Sequence, residues 1–258
     1  MASYLDELFH TARHLIPVLD GQRPNQMHHL ETAKTQADSP ESWPDTAELI
    51  ASLHHTISKA HPKTGSPYWR IRNWGLLCWQ PIYLALICVY HLRAVPSNIA
   101  TIKQKQVGEM VCGYQLADDQ WLDQSSHAAL IEHLGQGLHS LFQSYQSELI
   151  AQQGGRPILY QALLADQLIE TMLYLQSYVQ QQDQQNHNRF NLTAEFHLWA
   201  DILALPTKAL QRLQEDQTSQ APMFVRQTCC LHFRREEGNF CASCPKNNKP
   251  NKKKQASK

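Results

Sequence analysis

Glycine is scarce in this sequence, and the glycine-rich loops that bind nucleotides are missing. The chain has 10 glycines in 258 residues, and none forms a Gly-x-Gly-x-x-Gly after a strand, the pattern that lets a backbone approach a pyrophosphate. Gly135, Gly137, Gly154 and Gly155 lie in or beside helical patterns instead. A nucleophile elbow, a phosphate loop and a His-Glu-x-x-His are also missing. Direct nicotinamide or flavin binding, hydrolysis and kinase activity therefore have no support from motifs.

The chain also lacks an excess of charge of either sign. Its 23 basic residues balance 23 acidic ones, so composition gives no reason to expect a nucleic-acid partner. The balance conceals an asymmetry, because every charged residue after the last cysteine is a lysine: Lys246, Lys249, Lys252, Lys253, Lys254 and Lys258. After Pro250 no apolar residue is larger than alanine. We therefore expect a disordered basic tail over residues 247–258.

Neither a secretory signal nor a clear membrane span is present. No basic segment leads into an apolar one at the N-terminus. The uncharged run over residues 74–92 approaches the length of a bilayer span, but Gln80, Pro81 and His91 interrupt it. A buried central helix from Pro81 to about Leu92 is favoured instead. We expect a cytoplasmic protein without a stable membrane span, peripheral association at the inner face of the membrane remaining open.

Apolar periodicity predicts helices along most of the chain. Four are expected: one from Asp45, one through residues 130–149 that ends at Gly154-Gly155, one from Pro157, and one capped by Asn191. Strand signals predict two hairpins, at residues 101–116 with a glycine-bearing turn or bulge, and at residues 224–240. The fold class is thus expected to be mainly α, a helical single domain with small antiparallel β-hairpins, one of which carries the C-terminal cysteine motif.

Four of the 7 cysteines lie close together near the C-terminus. Cys229 and Cys230 are adjacent, and ten residues separate them from the Cys241-x-x-Cys244 pair. Such a pair suits zinc or an iron–sulfur cluster. The adjacent pair is less suited to a single zinc ion, because neighbouring side chains of an extended segment point to opposite faces. The spacing predicts a metal centre, and the other three cysteines are interpreted as ordinary buried thiols.

This C-terminal pattern resembles the signature of FhuF-type ferric siderophore reductases. The matching features are Arg226-x-Thr228-Cys229-Cys230-Leu231, the gap of ten residues, and Cys241-x-x-Cys244-Pro245. The resemblance implies a [2Fe–2S] cluster held by the four cysteines and one-electron reduction of siderophore-bound Fe(III) to Fe(II), releasing iron in the cytoplasm. Reduction would release the iron because Fe(II) attracts hard anionic oxygens less strongly than Fe(III) does.

Further residues are weaker candidates for roles around the cluster. Substrate binding is assigned to Arg226, Arg234, Arg235, Trp69, Arg70, Arg72 and Trp79. The arginines of the cysteine segment suit an anionic ferric siderophore or an acidic electron carrier, but they also suit a solvated strand face. The aromatic block suits a core equally well. His232 is a candidate for coupling electron uptake to a proton, since the ordinary pKa of histidine is near 6.5, although an exposed histidine without a redox role fits too.

The sequence predicts three segments and leaves alternatives open. They are a mostly helical body (1–222), an iron–sulfur cluster-binding hairpin or loop (223–246) and the basic tail (247–258). The expected partners are a ferric siderophore, for which the hydroxamate type is a candidate, and an external donor such as a ferredoxin or flavodoxin-like carrier. One alternative is a non-catalytic interaction protein stapled by a four-cysteine zinc site. The other is an iron–sulfur sensor or siderophore-binding accessory.

Overall fold

Helices make up most of the computed structural model, which describes residues 3–24, 43–117, 120–123, 125–182, 191–215 and 222–247. The α-helices are α1 (Tyr4–Leu15), α2 (Thr46–Ala60), α3 (Ser66–Ile87), α4 (His127–Gln153), α5 (Pro157–Gln182) and α6 (Leu192–Leu203). The strands are β1 (Gly21–Gln22), β2 (Val95–Pro96), β3 (Lys103–Val107), β4 (Met110–Gln115), β5 (Trp121–Leu122), β6 (Leu213–Glu215) and β7 (Pro222–Phe224). The prediction of a mainly α protein is confirmed.

The helix boundaries follow from capping residues that the sequence makes visible. Asp45 begins α2 with a capping box, in which its side chain accepts from the Glu48 N–H at 2.8 Å and the Glu48 side chain accepts from the Asp45 N–H at 3.1 Å. The side chain of Asn191 likewise accepts hydrogen bonds from backbone N–H groups in the first turn of α6. Gly154 ends α4 with a φ of 71°, a backbone conformation that glycine adopts without strain. The four predicted helices are confirmed.

Helix α3 is the central helix, and it begins earlier than the sequence indicated. The expected start at Pro81 is wrong, because the helix runs from Ser66 through Pro81 and continues as a π-helix over Cys88–Leu92. Proline removes the N–H that would bond to the carbonyl four residues before it. That carbonyl belongs to Leu77, and the buried Gln104 side chain donates to it at 2.9 Å. A contact from the hairpin thus compensates for the proline.

Helix α3 also explains the long apolar run. Within the described ranges, Ser66–Leu92 is the one helix long and apolar enough to cross a bilayer by length and composition, and 67% of its most apolar window is buried inside the protein. It packs against α1, α2, α4 and α5. The apolarity of the run is therefore that of a core helix, covered by the helices around it.

Small sheets flank the helices, and one predicted hairpin is present. Strands β3 and β4 pair antiparallel around Gly108, which has a φ of 58°, and a bulge interrupts the pairing between Gln104 and Gln106. Strand β1 pairs parallel to β4, so the order is β1-β4-β3. The pairs β2–β5 and β6–β7 are antiparallel. The hairpin over residues 101–116 is confirmed.

The second predicted hairpin, over residues 224–240, is wrong. Phe224 is the last residue of β7, which pairs with β6, and the chain then forms a loop with a 3-10 turn at His232–Arg234. Leu231 enters this turn with a φ of 58°, which breaks an extended strand. Asn247, in the last described turn, donates its N–H to the Cys244 carbonyl at 3.1 Å. The remainder of the predicted tail, 248–258, lies outside the described residues, and the three predicted segments stay a prediction.

Candidate metal centre

A buried carboxylate of α5 anchors the chain just before the first two cysteines. Asp166 is 0% exposed and accepts from the N–H of Gln227 at 3.0 Å and the N–H of Thr228 at 2.8 Å. The Thr228 hydroxyl donates to the same carboxylate. Burial raises the pKa of Asp166, and these hydrogen bonds oppose that rise. Asp166 therefore fixes the backbone that leads into Cys229.

A second carboxylate, one helical turn further along α5, joins the two halves of the cysteine loop. Glu170 accepts from Arg226 Nε at 2.8 Å, ahead of the first cysteine pair. It also accepts from the hydroxyl of Ser243, which lies within the second pair. The Arg226 N–H donates to the Ser243 carbonyl at 2.9 Å. Side chain and backbone thus close the loop at the same point, which brings the two cysteine pairs together.

Two of the four thiols are in contact. Cys230 Sγ and Cys241 Sγ are 3.8 Å apart, and the electrostatic influence of Cys244 on Cys229 shows that the other two lie nearby. Two sulfurs bound to one tetrahedral metal at about 2.3 Å are about 3.8 Å apart. The separation of Cys230 and Cys241 therefore already suits two ligands of one iron. The sequence-based expectation that Cys230 returns toward Cys241 is confirmed.

The donor set of this segment fits a two-iron cluster, and the close contact of Cys230 with Cys241 suits two ligands of one of its irons. Across the part of the chain that the structure describes, no three His, Cys, Asp or Glu side chains converge on one point that could hold a metal ion. A structural zinc needs four ligands around one ion. A [2Fe–2S] cluster takes two thiolates on each of two irons. The donor set, four thiols without a carboxylate among them, suits the cluster as well.

Burial favours the protonated form of two of these thiols, Cys229 and Cys241. It raises the pKa of Cys229, and it raises the pKa of Cys241 to about 12, with the nearby Cys230 adding to the effect. Cys244 is 2% exposed. Cysteine ligands must be thiolates, so metal binding at this site releases protons and offsets the repulsion between the sulfurs.

A cavity of about 340 Å³ opens beside two of the thiols. Cys230 and Cys241 form part of its wall, and the facing walls come from α3 and α5. Its other lining residues include Tyr68, Arg72, Gly75, Trp79, Gln167, Arg226 and His232. An added Cβ at Gly75 would meet no atom within 4 Å, so the cavity has free space above this residue.

Four of the predicted substrate-contact or proton-coupling residues meet at this cavity: Arg72, Trp79, Arg226 and His232. Trp79 is oriented by a hydrogen bond from its Nε1 to the Val111 carbonyl at 2.8 Å. Trp69 and Arg70 lie on other faces of α3, since successive helical residues are rotated by about 100°. Trp69 donates to the His61 carbonyl, and Arg70 reaches the carbonyl of Gln153.

The other two predicted arginines, Arg234 and Arg235, line a larger cleft that adjoins the 3-10 turn. This basic cleft, about 630 Å³, is lined by Lys59, Ala60, His61, Pro62, Lys63, Thr64, His232, Arg234, Arg235, Glu236 and Glu237. Arg234 donates to the Thr64 carbonyl at 3.3 Å, which ties the loop to the 3-10 turn Pro62–Thr64 that follows α2. His232 borders both spaces. Burial, with Arg235 and Arg72 nearby, lowers the pKa of His232.

The anchors Asp166 and Glu170 are the functional residues that sequence reasoning missed. They are the two charged residues of α5, four positions apart in an otherwise uncharged helix. Residues at this spacing share a helix face, so the pair was a readable signal for a polar contact. What the sequence did not reveal was the segment that the pair holds.

Comparison with known proteins agrees with the geometry of the loop. Residues 226–246 match the family model of the FhuF 2Fe-2S C-terminal domain, and this range contains all four cysteines. The match indicates a [2Fe–2S] cluster as the cofactor of this segment, and Cys229, Cys230, Cys241 and Cys244 fit the motif. The helical body lies outside the match. No solved structure matches the chain.

Proposed function

We propose that this protein is a ferric siderophore reductase, which passes one electron from a donor protein to siderophore-bound Fe(III). The match to the FhuF 2Fe-2S C-terminal domain supports an iron–sulfur protein of siderophore iron metabolism. The structural observation that carries the proposal is the cavity beside Cys230 and Cys241. When bound, the cluster supplies a one-electron carrier. The cavity lets a ferric complex approach the thiols that hold the cluster.

In this proposal the walls of the cavity position the ferric complex. Its volume of about 340 Å³ is at the lower end of the range of about 300–1,000 Å³ for ligand pockets. Part of a siderophore complex enters it, and the remainder stays outside. Tyr68 and Trp79 offer aromatic surface, while Gly75 keeps the floor open. One electron converts Fe(III) to Fe(II), whose weaker attraction for the siderophore oxygens releases it.

The electron comes from a separate donor protein that docks at the basic cleft. Four cationic side chains line this cleft, Lys59, Lys63, Arg234 and Arg235, against the two acidic ones Glu236 and Glu237. An acidic carrier such as a ferredoxin or a flavodoxin-like protein complements that charge. Donor and ferric complex would then approach the cysteine loop through two different spaces, which both adjoin the turn at His232. The proposed location is cytoplasmic, where free thiols remain reduced.

Spectroscopy and turnover of anaerobically purified protein test the proposal. A red-brown protein that bleaches with dithionite and gives an S = 1/2 electron paramagnetic resonance signal establishes the cluster. Reduced protein mixed with a ferric siderophore should then be reoxidised, while an Fe(II) chelator reports the product. The matched control is the Ga(III) complex of the same siderophore, which binds alike but accepts no electron. A colourless zinc protein, or a cluster that no ferric siderophore reoxidises, refutes the proposal.

A further inference from the structure

The guanidinium of Arg72 faces the cavity without a carboxylate partner. Arg72 is half-buried on α3, and its Nη2 lies 2.9 Å from Met110 Sδ, a weak acceptor. Among the described residues no carboxylate lies within ion-pair distance of it, whereas Arg226, in the same cavity, is paired with Glu170 at 2.5 Å. Burial lowers the pKa of Arg72. A partly desolvated cation normally requires an anion nearby.

The guanidinium of Arg235 also needs an anion nearby. Arg235, half-buried on the cysteine loop, also has no ion-pair partner among the described carboxylates. Arg72 lines the cavity, Arg235 lines the basic cleft, and His232 lines both. The fold therefore places two like charges in adjoining spaces around His232, where the charge of Arg235 disfavours that of Arg72. Such an arrangement is favourable only if an anion lies within reach of both.

For Arg72, the cysteine site is the anion that remains. The acidic groups that act on Arg72 are Tyr68, Glu109 and Cys230. Burial raises the pKa of Tyr68, which keeps its hydroxyl neutral, and Glu109 is engaged by His61 at 2.7 Å. Cys230 lines the cavity together with Arg72. Four thiolates around an oxidised [2Fe–2S] core leave a double negative charge, and reduction adds a third. The two unpaired guanidinium groups match the charge of the oxidised site and favour the reduced one.

We propose that Arg72 and Arg235 are the counter-charges of the cluster, positioning residues that raise its reduction potential by stabilising the more negative reduced state. The inference rests on the cluster part of the proposed function and not on the identity of the siderophore. It gives Arg72 and Arg235 a role other than the substrate contact that the sequence suggested.

Redox titration of the cluster in the full-length protein tests this role. Arg72→Gln and Arg235→Gln should each shift the one-electron equilibrium about tenfold toward the oxidised form, which is about 59 mV. The double variant should shift it further, and Arg72→Lys should retain most of the potential because it keeps the charge. Arg70→Gln is the matched control. Arg70 is hydrogen-bonded to the Gln153 carbonyl, away from the cysteine loop, and the potential of this variant should equal that of the wild type.

The outcomes separate this inference from the proposed function. Unchanged potentials in Arg72→Gln and Arg235→Gln overturn it, and a higher KM for anionic ferric complexes in those variants would assign the two residues to substrate binding. If Arg72→Gln fails to retain a cluster, Arg235→Gln and Arg72→Lys decide by the same titration. A wild-type protein without any cluster refutes the proposed function itself, whereas a cluster with unmoved potentials refutes only the assignment of these two arginines.

Discussion

Replacing Asp166 by alanine should detach the cysteine loop from α5. The carboxylate is fully buried and accepts three hydrogen bonds from Gln227 and Thr228, directly ahead of Cys229. Alanine removes the acceptor for all three donors. It does not weaken the helix itself, because alanine has the higher helix propensity. The effect should therefore be confined to the loop.

The magnitude follows from the three donors that lose their acceptor. Each buried donor left without a partner costs about 1–3 kcal/mol, which sets an upper range of about 3–9 kcal/mol. Two effects reduce this range. Gln227 and Thr228 are half-buried, so water can replace part of the lost bonding, and the cost of burying the Asp166 charge disappears. We expect about 3 kcal/mol, which makes the undocked loop somewhat more than a hundredfold more populated.

Cluster retention and hydrogen exchange measure this effect. The Asp166→Ala variant should be purified with less iron and acid-labile sulfide, lose iron faster to a chelator, and exchange faster over residues 226–246. Its far-ultraviolet circular dichroism should match the wild type. Asp201→Ala, on an exposed position of α6, is the matched control and should change nothing. Wild-type cluster retention with unchanged exchange over 226–246 would falsify the anchoring role, and so would unfolding of the whole protein.

The remaining predictions concern ligands, cavity, donor and acid stability. Serine at Cys229, Cys230, Cys241 or Cys244 should abolish or alter the cluster spectrum while helical content stays near wild type; loss of the whole fold would show a structural site. Gly75→Leu should fill the cavity and lower kcat/KM for a ferric siderophore about tenfold, with an unchanged cluster potential. Gly75→Ala should keep activity and stabilise α3 by about 0.5–1 kcal/mol. Equal kinetics for the two variants would place the substrate elsewhere. NADH alone should leave the cluster oxidised, and prompt bleaching would contradict the need for a donor protein. Arg23 and Ser3 lower the pKa of Asp6 from 3.8 to about 2, so its contribution to stability is present above pH 3.8 and is lost as the pH falls toward 2. Asp6→Asn should flatten acid unfolding of α1 in that window, and an unchanged pH profile would argue against the ion pair.

The helices could be predicted from the sequence where local signals set them, and the errors came from tertiary compensation. Asp45, Asn191 and Gly154 act on the residues next to them, so their positions fixed helix ends correctly. Pro81 is a strong local signal as well, but the Gln104 side chain donates to the Leu77 carbonyl that proline leaves free. That contact comes from a hairpin more than twenty residues later in the chain. The residues around Pro81 do not reveal this contact.

The cysteine loop likewise combines one feature that the sequence predicted correctly with one that it did not. Its closure was expected, and the 3.8 Å between Cys230 and Cys241 confirms it, but the expected strand ladder was wrong. Contacts with Asp166 and Glu170 hold the loop instead, and a 3-10 turn takes the place of the strands. Paired strands could have been predicted from the alternation of apolar and polar residues. Anchoring by a helix 56–73 residues earlier in the chain has no local signature.

The sequence by itself predicted the four metal ligands, because ligation depends on residue type and spacing within one short segment, and the resemblance of that segment to a known signature indicated the kind of cofactor. Only the tertiary structure decided what surrounds them. The contact of Cys230 with Cys241, the anchors Asp166 and Glu170, and the position of Arg72 beside Cys230 in the cavity all require α3, α5 and the loop to pack at a particular distance and rotation. Packing of that kind depends on the whole core, since each side chain is positioned by neighbours that are remote in sequence.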